Sequence, residues 1–214
     1  MSYMRDVKHR LMWSSRKKKL DYFFNDICGG RWPTILDVGV ADNEHSPFDN
    51  FLEKNCPCPE NITALSIYPL EHFKMRYPAI KPVVYSGGKM PFEDKAFEVI
   101  HCNAVIEHVG GFEKQVDFIR EIGRVGRKFF ITTPSRYFPF ETHTNLPFMH
   151  YLPKRQFDNM LKMIGKEWAA GDYMHLLTGG DLIRILRAAQ VGDSQIFTKR
   201  FLGLPLHYYV VGGK

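Results

Sequence analysis

From residue 34 onward, short runs of apolar residues alternate with longer stretches in which apolar positions recur every three or four residues. The short runs are Thr34–Val38, Ile62–Ile67, Pro82–Ser86, Ala96–Cys102 and Lys128–Thr133, and their length and β-branched content predict buried strands. Between them the helical period predicts a helix over Leu70–Arg76 and another over 112–124, where Phe112, Val116, Ile119 and Ile122 make the apolar stripe and Glu113, Lys114, Asp117 and Arg120 face water. A loop and helix are expected from Ala41 to about Glu53, ending before the Cys56-Pro57-Cys58-Pro59 breaker. Helices over Lys154–Ile164 and Gly180–Ala189 and two closing strands, Gln195–Arg200 and Pro205–Val211, complete the pattern. Strand and helix in alternation predict an α/β fold, a parallel sheet with helices on both faces.

Two stretches break the alternation. Residues 5 to 28 mix Leu11, Met12, Leu20, Phe23, Phe24 and Ile27 with Arg5, Lys8, Arg10, Arg16, Lys17, Lys18 and Lys19, so residues 1–30 read as a basic amphipathic helix capping the sheet edge or a ligand site. Residues 135 to 153 hold three prolines and many aromatic residues, and a loop this long inside a domain of 31–214 is expected to be functional, as an insertion over about 134–165.

Composition adds bounds. The 214 residues are 44% hydrophobic and 24% charged, enough for one domain with a full core. No run of eighteen apolar residues and no apolar leader occur, so a cytoplasmic protein without a membrane span is expected. The four cysteines are expected to be reduced, and Cys56-Pro57-Cys58 has no matching second pair, so no metal site is expected. The net charge of +6 admits an acidic partner, chiefly through the N-terminal run, which reads equally as a solvated helix face.

The chemistry concentrates in Ile35-Leu36-Asp37-Val38-Gly39-Val40-Ala41-Asp42-Asn43 and in Pro91-Phe92-Glu93-Asp94-Lys95-Ala96-Phe97-Glu98-Val99-Ile100-His101-Cys102-Asn103-Ala104-Val105-Ile106-Glu107-His108-Val109. The first reads as a buried strand ending in an acid and a glycine turn, the second as acidic turn, strand and helix start. In this order and spacing they resemble the "LDVGCGxG" and "LPFxDxSFDxVxxxxVLEHV" motifs of class I S-adenosylmethionine-dependent methyltransferases. Val40, Ala41 and Asn43 depart from the glycine-rich part of the first. Thr133 to Pro153 resembles a narrower bacterial group with "TPNRWFPIEPHTxLPxxHWLP".

The resemblance implies a Rossmann-like, doubly wound, mostly parallel seven-stranded sheet in three α/β/α layers, with an antiparallel last strand. It implies S-adenosylmethionine as methyl donor, S-adenosylhomocysteine as product, and a small-molecule or glycan-like acceptor. RNA or protein as acceptor is a second reading, and a ligand-binding domain without turnover is a third. For the donor, the resemblance places Asp37 near the methionyl ammonium, Gly39 at the turn, Ser66 and Ile67 at the ribose and adenine, Ser86, Gly87 and Met90 around the adenine, and Asn103 and His108 by the sulfonium end. Ser66 and Ser86 stand where the family has acids, so donor binding is expected to be weaker there. For His108 the alternative is a histidine packed between helix and sheet. Arg136, Glu141 and His143 are the candidate acceptor-site residues, His143 as base and Glu141 as its orienter, the alternative being that they pin the loop by hydrogen bonds.

Overall fold

The computed structural model describes residues 2–141, 144 and 146–213, with side chains from residue 12 onward. Strands β1 (Ile35–Val38), β2 (Ile62–Ser66), β3 (Lys81–Val84), β4 (Phe97–Asn103) and β5 (Gly126–Pro134) are parallel, joined through helices α2 (Phe51–Asn55), α3 (Glu71–Arg76) and α4 (Phe112–Val125). After β5 come a small hairpin, β6 (Phe140–Glu141) with β7 (Leu146–Pro147), then α5 (Lys154–Met163), α6 (Gly179–Ala188) and strands β8 (Gln195–Phe201) and β9 (Leu204–Gly213). The main sheet has the order β3-β2-β1-β4-β5-β9-β8, and β9 runs antiparallel to both neighbours. This is the doubly wound architecture expected from the sequence.

Alternate residues of each strand enter opposite layers. Leu36, Ile100, Phe129 and Ile131 pack with Ile119 and Ile122 of α4 and Leu182 and Ile185 of α6. Ile35, Ala64, Val99 and Phe130 pack on the other face with Phe23, Phe24, Leu52 and Phe73. Phe23 and Phe24 belong to a π-helical turn (Phe23–Ile27) that continues α1 (Ser2–Tyr22), so the N-terminal helix is anchored by aromatic burial. No helix among the described residues is long and apolar enough to cross a membrane.

The second motif is largely a structural latch. Lys95 turns with φ +56 and bonds through Nζ to the Gly123 and Gly126 carbonyls at the end of α4. Arg124 reaches back to Asp94, Glu121 and the carbonyls of Met90 and Phe92, so the acids of the turn and the last turn of α4 hold each other. These bonds raise the Arg124 pKa further above its ordinary value.

Of the loop and helix expected from Ala41 to about Glu53, the helix is Phe51–Asn55, because Asn50 is left-handed (φ 48) and its amide bridges the Ala41 N–H and C=O at 3.0 and 2.8 Å. Asp42 accepts from Phe73 N at 2.9 Å at the start of α3, and Glu44 binds Tyr77 and Lys54. Side chains rather than glycines therefore shape the loop after β1.

Candidate functional site

β1 and β4 lie side by side with Asp37 opposite His101, so the carboxyl ends of the two strands open one crevice. Gly39 turns the chain there with φ +92, a conformation side chains rarely adopt, and a Cβ would meet Val105 Cγ2 at 2.3 Å. The crevice holds a cavity of about 200 Å³ lined by Asp37, Gly39, Asn50, Asn103, Arg16 and Lys19 among others.

Arg16 and Lys19 lie one helical turn apart on α1, and both reach this cavity. Lys19 is 8% exposed, and its ammonium donates to Asn103 Oδ1 at 2.9 Å and Thr132 Oγ1 at 3.5 Å. Burial, with Arg16 nearby, lowers its pKa from 10.5 to about 7, against the pull of Glu107. Burial lowers Arg16 as well, countered by Asp49.

Below them lies an acid–base cluster. His101 Nδ1 and Asp37 Oδ1 are 2.7 Å apart, and burial pushes the His101 pKa to about 4, so the ring is neutral and donates to the carboxylate. Burial raises Asp37 to about 7. Glu53, buried on α2, is raised well above the usual carboxylate range, by burial first and then by Asp37. Both Glu53 carboxylate oxygens are buried without a hydrogen-bond partner, which favours the protonated acid beside Asp37.

The chemistry of this wall fits a zwitterion: two cations from α1 for a carboxylate, and Asp37 for an ammonium. A methionyl group is such a zwitterion. Where a ribose would lie, the fit is poorer. The Ser66 hydroxyl accepts from Tyr68 N at 3.1 Å and the residue is 4% exposed, so the side chain is committed to its own turn. Beside it Ile67 is 53% exposed, and Ser86 and Gly87 border the same strand ends in the open.

Other expected site residues fall elsewhere. Met90 is 1% exposed inside the α4 core and cannot wall an adenine slot, because its backbone N–H is drawn to Glu121 and carries the side chain inward. His108 bonds through Nδ1 to the Tyr173 carbonyl at 2.8 Å, which ties the turn Gly171–Tyr173 to the segment after β4. Glu141 is buried and accepts from Thr144 N and Oγ1, both at 2.5 Å, so it holds the β6–β7 turn. Arg136 and Glu141 line two different cavities that have His150 in common. His143 lies outside the described residues. Sequence reasoning missed Lys19, Arg16, His101 and Glu53 as site residues. The signal available was the spacing of three between Arg16 and Lys19 in phase with Phe23, which puts both on the buried side of the helix.

Residues 36–129 match the family model described as a methyltransferase domain. No curated protein matches the chain. Among solved structures, a Burkholderia thailandensis 1,6-didemethyltoxoflavin-N1-methyltransferase, with 1,6-didemethyltoxoflavin and S-adenosylhomocysteine bound, aligns at TM-score 0.57 and 13% identity over 97% of this chain and 84% of its own. A Synechocystis magnesium protoporphyrin IX methyltransferase with bound S-adenosylhomocysteine aligns at 0.53 and 10% over 94% and 83%. A Methanosarcina mazei S-adenosylmethionine-dependent methyltransferase aligns at 0.51 and 14% over 85% and 92%. At these identities the structural likeness establishes the fold.

Residues 36–129 thus match a methyltransferase domain on a doubly wound fold shared with known methyltransferases. In the matched segment Asp37 and Gly39 stand at the end of β1, and Asp42, Glu44 and Asn50 shape the following loop by hydrogen bonds.

Proposed function

We propose that the chain is an S-adenosylmethionine-dependent methyltransferase that alkylates a small-molecule acceptor, with the methionyl end of the donor in the α1-covered cavity and the acceptor beneath the segment after β5. The observation that carries the donor placement is the pairing of Arg16 and Lys19 with Asp37 and Asn103 in one cavity. The cations take the methionyl carboxylate, and Asp37 takes the ammonium. The bound donor supplies an electrophilic methyl whose transfer discharges the sulfonium. The protein's part is positioning: α1 closes over the β1–β4 crevice, excludes water and fixes the donor's polar end, so that an acceptor meets a preset trajectory.

The acceptor placement is supported by a second cavity of about 220 Å³, which Arg136, His150, Lys154 and Phe157 of the inserted segment help to line. Its neighbours in fold include enzymes named for small-molecule substrates. Titration calorimetry with S-adenosylhomocysteine tests the donor site. Saturable binding that weakens in Arg16→Gln and Lys19→Met supports the placement, and binding indifferent to both substitutions removes it.

The uncharged ribose end supports a second reading, a domain that binds the donor without turnover. Charge-assisted bonds contribute about 1.5–3 kcal/mol each, so their absence at Ser66 weakens affinity by about ten- to a hundredfold per bond. Release of S-adenosylhomocysteine during incubation with an acceptor library separates the two readings.

A further inference from the structure

The second cavity shares no lining residue with the first. The turn Ile106–His108 lies between them: the Ile106 carbonyl accepts from Gln115 Nε2 at 3.3 Å and the Glu107 carbonyl from His175 N at 2.7 Å, and both donors belong to the second wall. Phe157, Met174, Leu177 and Ile185 make one side of the cavity apolar.

Its cations are mostly spoken for. Lys154 Nζ binds Asp158 Oδ1 and the Gly171 carbonyl, at 2.5 and 2.6 Å. His175 faces Asp172 at 3.1 Å, and Arg184 binds Asp181. Asp181 has no capacity to spare, since it also caps α6 by accepting from Thr178 N and Oγ1 at 2.9 and 2.7 Å. The exception is Arg136. Its backbone is fixed, with N–H donating to the Leu177 carbonyl at 2.9 Å and its own carbonyl 3.1 Å from His150 Nε2. Its guanidinium has no hydrogen bond or ion pair among the described residues. His150, 5% exposed in the same wall, holds Nδ1 buried without a hydrogen-bond partner. A guanidinium stays protonated and presents a planar fork that matches a carboxylate or phosphate, so a half-apolar cavity that leaves one unpaired is built for an anion.

We propose that this cavity holds the methyl acceptor by an anionic head group, a carboxylate or a phosphate, on Arg136, with the acceptor's apolar body against Phe157, Met174 and Ile185. This rests on the small-molecule reading above and names the acceptor class. It excludes acceptors that are neutral at the head group.

The test uses the full chain and three probes of one shape: 4-phenylbutyrate, 2-phenylethyl phosphate and the neutral 4-phenylbutyramide, followed by calorimetry or ligand-observed NMR. At least one anion binds, the amide binds tenfold or more weakly, and Arg136→Gln removes that preference while Arg136→Lys keeps part of it. The tighter anion identifies the head group. S-Adenosylhomocysteine does not displace the probe, because the two cavities are separate. Any one of four results overturns the proposal: no anion binding up to ~10 mM, equal binding of anion and amide, wild-type binding by Arg136→Gln, or displacement by S-adenosylhomocysteine. A thermal melt of Arg136→Gln controls for folding, and its S-adenosylhomocysteine affinity stays at the wild-type value. Loss of product affinity in the wild type would instead indict the donor reading, so the two failures are distinguishable.

Discussion

Replacing Lys19 by methionine separates the contribution of this residue to binding from its contribution to stability. Methionine keeps the length of the buried stem and removes the ammonium. Asn103 Oδ1 still accepts from Thr132 Oγ1 at 2.7 Å, so no acceptor is orphaned. The native pKa of about 7 lies far below the ordinary 10.5. A base depressed in this way weakens the fold wherever the unfolded chain holds the proton more tightly. The penalty is full below the native pKa and fades as pH rises toward 10.5. It amounts to about 4 kcal/mol at pH 7 and about 2 kcal/mol at pH 9 as an upper bound. Wild-type stability should therefore rise from pH 7 to 9 by about 2 kcal/mol more than that of Lys19→Met, and the variant should be the more stable at pH 7, by about 2–4 °C in Tm per kcal/mol. The same substitution should weaken S-adenosylhomocysteine about 10–100-fold, the worth of a charge-assisted bond to the methionyl carboxylate. Urea melts at the two pH values and calorimetry measure both effects. Parallel pH profiles for the two proteins would refute the buried ammonium, and unchanged product affinity would refute its role at the carboxylate.

Four further outcomes follow from the same geometry. Gly39→Ala should lose about 2–4 kcal/mol of stability in denaturant melts, since the new methyl falls on Val105 at a positive φ. Ser66→Ala should leave product affinity within about twofold, because the hydroxyl serves Tyr68 N, and should cost about 1 kcal/mol of stability; a tenfold loss of affinity would restore Ser66 to the ribose. Glu53→Gln should gain stability relative to wild type as pH rises from about 5 to 8, because an acid with a raised native pKa weakens the fold increasingly above its unfolded value, and an amide removes that slope. Arg124→Ala should unfold the β4 entry latch at a cost of about 2–4 kcal/mol with product affinity unchanged, as measured by melts and calorimetry on the same samples.

Much of the fold was legible because alternation of apolar runs and amphipathic helices reports burial directly, and burial decides layers. The strand centres, α4 and α6 lie where the apolar pattern placed them, and the motif of residues 91–109 carried the family because its acids and its Lys95 are needed to close β4 on α4. The loop after β1 was less legible. Its helix was expected from composition, but Asn50 bonds to Ala41 across nine residues, and such side-chain closures leave no periodic trace. Only the tertiary structure decided which charges do chemistry. In sequence, Lys17, Lys18 and Lys19 are one basic run. In the fold, Lys19 alone of the three is buried, because Phe23 and Phe24 set the rotation of α1 on the sheet and send that one side chain into the β1–β4 crevice. Arg136 and Glu141, five positions apart, were read together and stand in different cavities, because the chain turns at Ser135 to pair with Leu177 before it reaches the β6–β7 hairpin. Sequence spacing fixes which face of an element a residue takes, whereas the partner it meets depends on how distant elements pack.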